Sequence, residues 1–392
     1  MPLVNMADML NHAYRHNYAV GAFHLVSLDF LSGIVEAAEN RHAPVILSLA
    51  ESHFEYYDFE LLMAACVVAA KRATVPVAIH LDHGSSLETA IRAIRMGCNG
   101  VMVDTSAEPL GDNLHITQKV VAMGHACGIA VEGELGHVPG LEGDDAVRYP
   151  GELTYTTAAQ AKTYVERTGV DSLAVSVGTV HGHSKGAPKL DYGRLAKINE
   201  AVRIPLVIHG GSGLSDDQCR KLIANGVAKI NYFTAMAEAA GGVIRRRADA
   251  GDINSATLTH GVRESVRIEV ERCIRVWGSS GRAAEVLSQC RPWREVEHVL
   301  LFNVDKRLDK TEAATLVTQG MKSLAAIPGV KSVTFGESVQ ADVRYHQCWL
   351  IRFASEALVP GYLEHQESLN YADSMFRLAA TERISIDYKI SE

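Results

Sequence analysis

The stretch Val75-Pro-Val-Ala-Ile-His-Leu81-Asp82-His83-Gly84-Ser-Ser-Leu87-Glu-Thr-Ala-Ile-Arg-Ala-Ile-Arg-Met96 holds a complete β–α unit. Val75–Leu81 is an apolar run of strand type, and Leu87–Met96 repeats its apolar residues at helical spacing. A polar turn separates the two. The same alternation runs from the start of the chain to about residue 235. Strands are expected at Ala19–Phe23, Val45–Leu49, Val75–Leu81, Gly100–Asp104, Ala130–Leu135, Ser172–Val177, Leu206–Ile208 and Val227–Asn231. Helical patterns such as Leu28–Asn40, Leu87–Met96 and Gln218–Ala224 lie between them. Strict β–α alternation implies parallel strands with right-handed crossovers. Eight such strands close a (β/α)8 TIM barrel, whose site forms at the C-terminal strand ends. A doubly wound open sheet is the competitor, but it would gather its site at one crevice. Here polar, chemistry-capable residues follow at least six strands, which favours the barrel.

Residues from about 236 to 290 read as further helices, including Val262–Trp277, and Gly278-Ser-Ser-Gly-Arg282 interrupts them. A second unit then begins. It reads as a strand from Val296 to Val304, a helix over Lys310–Ala326, a turn at Ile327-Pro-Gly329 and strands at Val330–Phe335 and near Val343–Ala354. A helix around Pro360–Glu367 and a last strand, Ile384–Tyr388, complete a small α+β sandwich. The expected domains are therefore 1–290 and 291–392.

A hydrophobic content of 47% and a charged content of 21% describe a chain with a substantial core. A net charge of −8 argues against nucleic acid and acidic membrane surfaces as partners. The seven cysteines contain no Cys-x-x-Cys, which points to buried thiols in a reducing cytoplasm. No basic region followed by an apolar core opens the chain. The most apolar stretch, Leu61 to Ala70, is too short to span a bilayer.

Three histidines, His83, His181 and His209, each stand just past a strand and directly before a glycine. Strand-end imidazoles gathered from distant segments are what an open zinc site needs: three protein ligands and a free position. Any one of them alone would read as a core or surface histidine satisfied by a carbonyl. Asp82 precedes His83 and can reach the same cavity to move a proton on a substrate oxygen, or it can cap the following helix. Glu132 and Glu134 alternate along the fifth strand and so point the same way. With Asp104 they are candidates for supporting the metal ligands or for an alternate metal position, structural ion pairing being the competing role. Gly182, the turn Gly210-Gly211-Ser212-Gly213, and Asn231 through Thr234 offer backbone N–H groups to a phosphate. The last two follow strands seven and eight, where phosphate sites recur in barrels.

Taken together, Leu-Asp82-His83-Gly, Glu134-Leu-Gly, Thr-Val-His181-Gly-x-x-Lys185-Gly, His209-Gly-Gly-Ser-Gly213 and Lys229-Ile-Asn231 resemble the class II, zinc-dependent ketose-bisphosphate aldolases. The resemblance spans residues 1 to about 285. It implies Zn2+ on His83, His181 and His209, and it admits a monovalent cation. It implies proton transfer by Asp82, an alternate metal position at Asp104 and Glu134, and a dihydroxyacetone phosphate seat made by Gly182, Gly210, Gly211, Ser212, Asn231 and Thr234. Glu142 occupies the position of the family's enolising base, in a loop reading Pro139-Gly-Leu-Glu142-Gly143 instead of the usual Gly-Gly-x-Glu-Asp. Tyr232-Phe233 stands where a small or acidic residue is common, a departure that bears on the aldehyde half of the substrate. No arginine is identified for a second phosphate. Arg263, Arg267 and Arg272 share a helical region and can equally be solvated.

Residues from about 295 to 390 resemble the stress-responsive A/B barrel domain, a ferredoxin-like dimerising module, through Glu-His298-Val-Leu-Leu-Phe, Ile-Pro-Gly-Val-x-x-Val-x-Phe-Gly336 and Leu358-x-x-Tyr362-x-x-His365. Some relatives are cyclases with a His-Pro-x-His segment. Ser368 stands where its second histidine would be, so the expected role is homo-oligomeric assembly. The activity implied is reversible aldol cleavage of a small phosphorylated ketose in carbohydrate metabolism, fructose 1,6-bisphosphate being the default. Two rivals remain: a non-catalytic phosphosugar-binding scaffold, and a metal-dependent isomerase or epimerase working through the same enediolate.

Overall fold

A computed structural model describes residues 2–139, 154–182, 189–371, 376–380 and 382–390. The chain divides into two units. The first comprises Met1–Ala90, Cys98–Ala122 and Ile129–Pro292, and the second comprises Trp293–Glu392 with Ile91–Gly97 and Met123–Gly128. In the first, β1 (Val20–His24), β2 (Val45–Ala50), β3 (Val77–Gly84), β4 (Gly100–Val103), β5 (Ala130–Leu135), β6 (Ser172–Val175), β7 (Leu206–Ile208) and β8 (Val227–Tyr232) form a closed barrel in chain order. All pairs are parallel, and β8 returns to β1 through Val20↔Lys229 to Phe23↔Tyr232. The helices expected over Leu28–Asn40 and Leu87–Met96 form with those bounds.

The lower end of the barrel is apolar. Helix Met6–Arg15 carries Met6, Met9 and Leu10 into one cluster with Val20, Ala22, Ile46, Ala78 and Ala130 from the starts of the strands. Small residues on the strands make room for the longer helix side chains. At Gly100 this room is essential, because a Cβ there would lie 2.1 Å from the Met6 sulfur. Burying these side chains contributes on the order of 1.5–3 kcal/mol each.

The second unit is a four-stranded antiparallel sheet in the order β10 (Val330–Glu337), β11 (Gln347–Phe353), β9 (Val296–Asn303), β12 (Glu382–Lys389). Helix Lys310–Ala326 begins at a capping box made by Asp309 and Glu312. Its Leu316, Gly320 and Leu324 recur every fourth residue as its buried face, and a Cβ on Gly320 would lie 2.8 Å from Trp349. Trp349, Ile351, Phe353 and Phe302 are buried on the sheet. His298 is buried as well and donates to Asp387 Oδ1 at 2.8 Å. All seven cysteines are free thiols, and no described helix is long and apolar enough to cross a membrane.

Above its apolar plug the barrel interior turns polar. Lys229 on β8 and Glu132 on β5 meet at 2.8 Å, with side chains 0% and 1% exposed. Burial would push the Glu132 carboxyl up. The Lys229 ammonium and a hydrogen bond from His209 reverse this and hold it at about 2. Removing one partner of such a pair leaves an uncompensated buried charge, which costs about 3–5 kcal/mol. Lys229→Met is therefore expected to lower unfolding stability by that amount in urea denaturation. Adding Glu132→Gln to the same chain should recover part of the loss.

Candidate active site

Consecutive residues on a strand point to opposite faces, so Asp82 and His83 should not share a cavity. Strand β3 breaks this rule with a bulge. Its pairing with β4 shifts register between Leu81 and Gly84, and His83 adopts φ 47°. That left-handed backbone is uncommon for a residue with a Cβ. It brings the His83 ring beside the buried Asp82 carboxylate, Nε2 lying 3.6 Å from Oδ2. Capping of the next helix is done by Ser86, whose hydroxyl accepts from Thr89 N at 3.1 Å. Asp82 is thus left for the cavity.

His83, His181 and His209 converge there. Each offers a ring nitrogen, and the three lie within 4.8 Å of one another. The rings meet edge to face, with centroids 5.4 Å (His83–His181), 4.6 Å (His83–His209) and 5.9 Å (His181–His209) apart. Two of the three have a carboxylate behind them. His83 Nδ1 donates to Asp104 Oδ2 at 2.8 Å, and His209 Nε2 donates to Glu132 Oε1 at 3.0 Å. In the neutral rings these bonds fix the tautomers so that His83 Nε2 and His209 Nδ1 present lone pairs. Both of those atoms are buried and make no hydrogen bond among the described residues. His209 Nδ1 lies 3.4 Å from Glu134 Oε2, and borderline nitrogen donors with carboxylates this close fit a divalent transition ion of zinc type.

A second group, His83, Asp104 and Glu134, also brings its ligand atoms within 4.8 Å, and a third joins Asp82, Glu132 and His209. Burial and the negative charge of Asp104 push the Glu134 carboxyl well above the usual range. For Asp104, burial acts upward too, but its hydrogen bond and ion pair with His83 hold it well below. Burial lowers His83, yet the charges of Asp82 and Asp104 raise it well above an ordinary imidazole. The pocket is one that favours added positive charge.

Asp82 is fully buried, and its Oδ2 accepts from His24 Nε2 at 2.7 Å and from Asn231 Nδ2 at 2.9 Å. Burial raises this carboxyl, whereas the charge of His83 and the His24 hydrogen bond bring it well below the usual range. Reading strand ends for histidine could have found His24, since it directly follows the expected strand Ala19–Phe23. His80, one layer lower, has no such signal. It is wholly buried, 3.9 Å from both Asp82 Oδ1 and Glu132 Oε2, and burial and Lys229 hold its ring neutral with a pKa near 3.

The glycine turns are built for close approach. Gly210 has φ 70°, and a Cβ on it would sit 2.1 Å from the Val180 carbonyl, in the segment that delivers His181. Gly211 is pressed against Ile230 and the Asn231 carbonyl, and the buried Gly182 has φ 67°. The Ser212 hydroxyl accepts from Phe233 N at 3.3 Å. Helix Thr234–Asp249 begins at Phe233 with no side-chain cap, so its first N–H groups face outward from the strand end. Asn231, expected beside the phosphate, has its amide on Asp82. Glu142 and Lys185 lie outside the described residues.

One other expectation changes. Tyr232 turns away from the cavity and packs on Phe23 and Trp277, with its hydroxyl on Glu269 and Arg272, as strand alternation requires. Only Phe233 faces the site. Arg263, Arg267 and Arg272 are all ion-paired, to Glu36, to Glu264 and Glu271, and to Asp216 and Glu269 respectively.

Residues 4–282 match the family "Fructose-bisphosphate aldolase class-II", and residues 296–390 match the "Stress responsive A/B Barrel Domain". The fructose-bisphosphate aldolase of Geobacillus stearothermophilus is 40% identical over 291 residues, which are 73% of this chain and 100% of that protein. The enzyme of the same description from Staphylococcus epidermidis is 39% identical over 290 residues, 72% of this chain and 100% of its own length. The solved structure of the YdjI aldolase from Escherichia coli K12 superposes with a TM-score of 0.63 at 34% identity, covering 72% of this chain and 99% of that one. Barrel, strand-end cluster and relatives agree: this chain belongs to the class II fructose-bisphosphate aldolase family, metal-dependent carbon–carbon lyases, and carries a C-terminal stress-responsive A/B barrel domain.

Proposed function

We propose that residues 1–290 form a zinc-dependent aldolase that reversibly cleaves a phosphorylated ketose, by default fructose 1,6-bisphosphate, to dihydroxyacetone phosphate and an aldehyde. The observation that carries this reading is the histidine trio, backed by Asp104 and Glu132 and adjoined by glycine turns. His83, His181 and His209 would hold the ion, and Asp104 and Glu134 would serve an alternate position with His83. When bound, the ion supplies Lewis acidity that acidifies the carbon next to the ketone. Asp82 takes the proton of the hydroxyl that becomes the aldehyde oxygen, and returns it in the synthetic direction. The substrate phosphate sits between the ends of β7 and β8, on the N–H groups of Gly182, Gly210, Gly211, Ser212 and Thr234, with the second amide proton of Asn231 beside it. Glu142 is the enolising base by its place in the motif. The free, mostly buried cysteines support a reducing cytoplasm as the working compartment.

Removing metal with a chelator should abolish both cleavage of fructose 1,6-bisphosphate and exchange of a carbon-bound proton of dihydroxyacetone phosphate with solvent. Zinc should restore both at one ion per chain. His83→Ala should lose metal and both activities together, and a His83→Ala chain with full zinc-dependent cleavage would sink the assignment. Exchange with no bond cleavage of any ketose would point to an isomerase. No exchange in the zinc-loaded chain would point to a phosphosugar binder.

We further propose that residues 291–392 pair with a second copy of the chain. On the sheet face opposite the helix, Ile384 and Ile386 of edge strand β12 are each 43% exposed. They lie in register with the half-buried Leu301 and Val299 of β9, and these with Cys348 and Leu350 of β11. A band of this kind, bounded by an open strand edge, supports a self-complementary contact. Ile386→Asp in the full chain should shift sedimentation toward a smaller species without changing zinc content. Unchanged sedimentation would refute this surface.

A further inference from the structure

Asp82 has two oxygens in unlike surroundings. Oδ2 accepts from His24 Nε2 at 2.7 Å and from Asn231 Nδ2 at 2.9 Å, one donor from β1 and one from β8. Oδ1 is buried with no hydrogen bond among the described residues, His80 Nδ1 lying 3.9 Å from it. With Oδ2 occupied as an acceptor on both sides, Oδ1 is the oxygen left to carry a proton.

His24 itself is held on its other sides by rings. His53 stands edge-on at 5.9 Å and 80°, Phe233 at 6.3 Å and 90°, and these two pack on one another at 4.4 Å. Phe30, from the helix that follows β1, backs Phe233 at 6.2 Å. All four rings are buried. An imidazole so enclosed has one orientation available, and its N–H is aimed before any substrate arrives.

We infer that His24 is a positioning residue for the carbon–carbon bond step: clamped by His53 and Phe233, it locks Asp82 Oδ2 and turns Oδ1 toward the substrate. The inference rests on the reading of Asp82 as the proton carrier. In cleavage, the hydroxyl proton passes to Oδ1 and the O–H electron pair forms the aldehyde C=O. The pair of the broken carbon–carbon bond stays with the dihydroxyacetone phosphate half as its carbanion. In synthesis each transfer reverses. Solvent exchange of dihydroxyacetone phosphate involves no aldehyde oxygen, so it does not need this geometry. A residue that merely stabilised the barrel would affect both reactions.

The test uses the zinc-loaded full chain, with dihydroxyacetone phosphate alone for exchange and with glyceraldehyde 3-phosphate added for condensation. His24→Ala should lower condensation kcat by about tenfold to a hundredfold. Exchange, the KM for dihydroxyacetone phosphate and zinc stoichiometry should stay within about twofold, because none of them draws on Asp82 Oδ1. His24→Gln, which keeps an N–H at similar reach, should recover most of the loss. Phe233→Leu, which loosens the clamp, should show the same selective defect in smaller measure. Equal loss of condensation and exchange, or no loss of either, overturns the role. Should His24→Ala fail to fold, the assignment falls if His24→Gln and Phe233→Leu leave the ratio of the two rates at the parent value. Absence of exchange in the parent chain would instead sink the zinc-aldolase reading, and this inference with it.

Discussion

A lysine and a glutamate buried together inside the barrel constrain everything built above them. Lys229 and Glu132 stand 2.8 Å apart with almost no solvent contact, on top of a predominantly apolar plug. Neither charge can be tolerated there alone, since the desolvation cost of each is several kcal/mol. Glu132 therefore has to face Lys229 with one oxygen, and its other oxygen is free to accept from His209. The orientation of that imidazole follows from charge compensation two strands away. The same logic repeats around the rim, where Asp104 sets His83. Each of these two proposed metal ligands is aimed by a carboxylate whose own state is governed by its neighbours.

The bulge in β3 does for the peptide chain what these pairs do for the side chains. A regular strand would have sent either Asp82 or His83 outward into the helices. Placing His83 in the left-handed region costs of order 1 kcal/mol or more, which the surrounding structure must offset. Its Nδ1 bond to Asp104 and the close approach of Gly84 to β4 are the contacts that hold it. Gly84 has no room for a side chain, because a Cβ would lie 2.8 Å from the Met102 carbonyl. Local strain at this point is what allows Asp82 and His83, the proposed proton carrier and metal ligand, to be adjacent in sequence and also adjacent in space.

Much of this was legible beforehand. The eight strands, the helices Leu28–Asn40, Leu87–Met96 and Lys310–Ala326, and the three convergent histidines follow from periodicity and from residues placed at strand ends. What could not be read is where a polar side chain finds its partner. Asn231 belongs to a segment suited to phosphate, yet its amide crosses the barrel to Asp82, a contact 149 residues away in sequence. Arg263, Arg267 and Arg272 have the charge for a second phosphate, but helix geometry and facing carboxylates consume it. Tyr232 and Phe233 looked alike as bulky neighbours. Strand alternation sends the first to the helices and the turn sends the second over the site. His24 stands at a strand end like the other three histidines, but Leu25 follows it where each of them has a glycine, so it lacks their turn signal.

Strand β8 ties these parts into one device. Lys229 and Asn231 point inward two residues apart, the first compensating Glu132 and the second bonding Asp82. Ile230 and Tyr232 point outward, and Tyr232 packs against the helices that surround the barrel. Phe233 follows, with its N–H on the Ser212 hydroxyl and its ring against His24 and His53. Thr234 then opens a helix whose free N–H groups lie beside the glycine turn. Within six residues one segment compensates Glu132 behind His209, bonds Asp82, packs on His24 and opens the helix beside the glycine turn, and so bears on the proposed metal ligand, proton carrier and phosphate seat together. A shift of β8 by a single register position would exchange its inward and outward residues. All four contacts would be lost at once, so the pairing of β8 with β1 and β7 is as much a condition of the proposed chemistry as the histidines themselves.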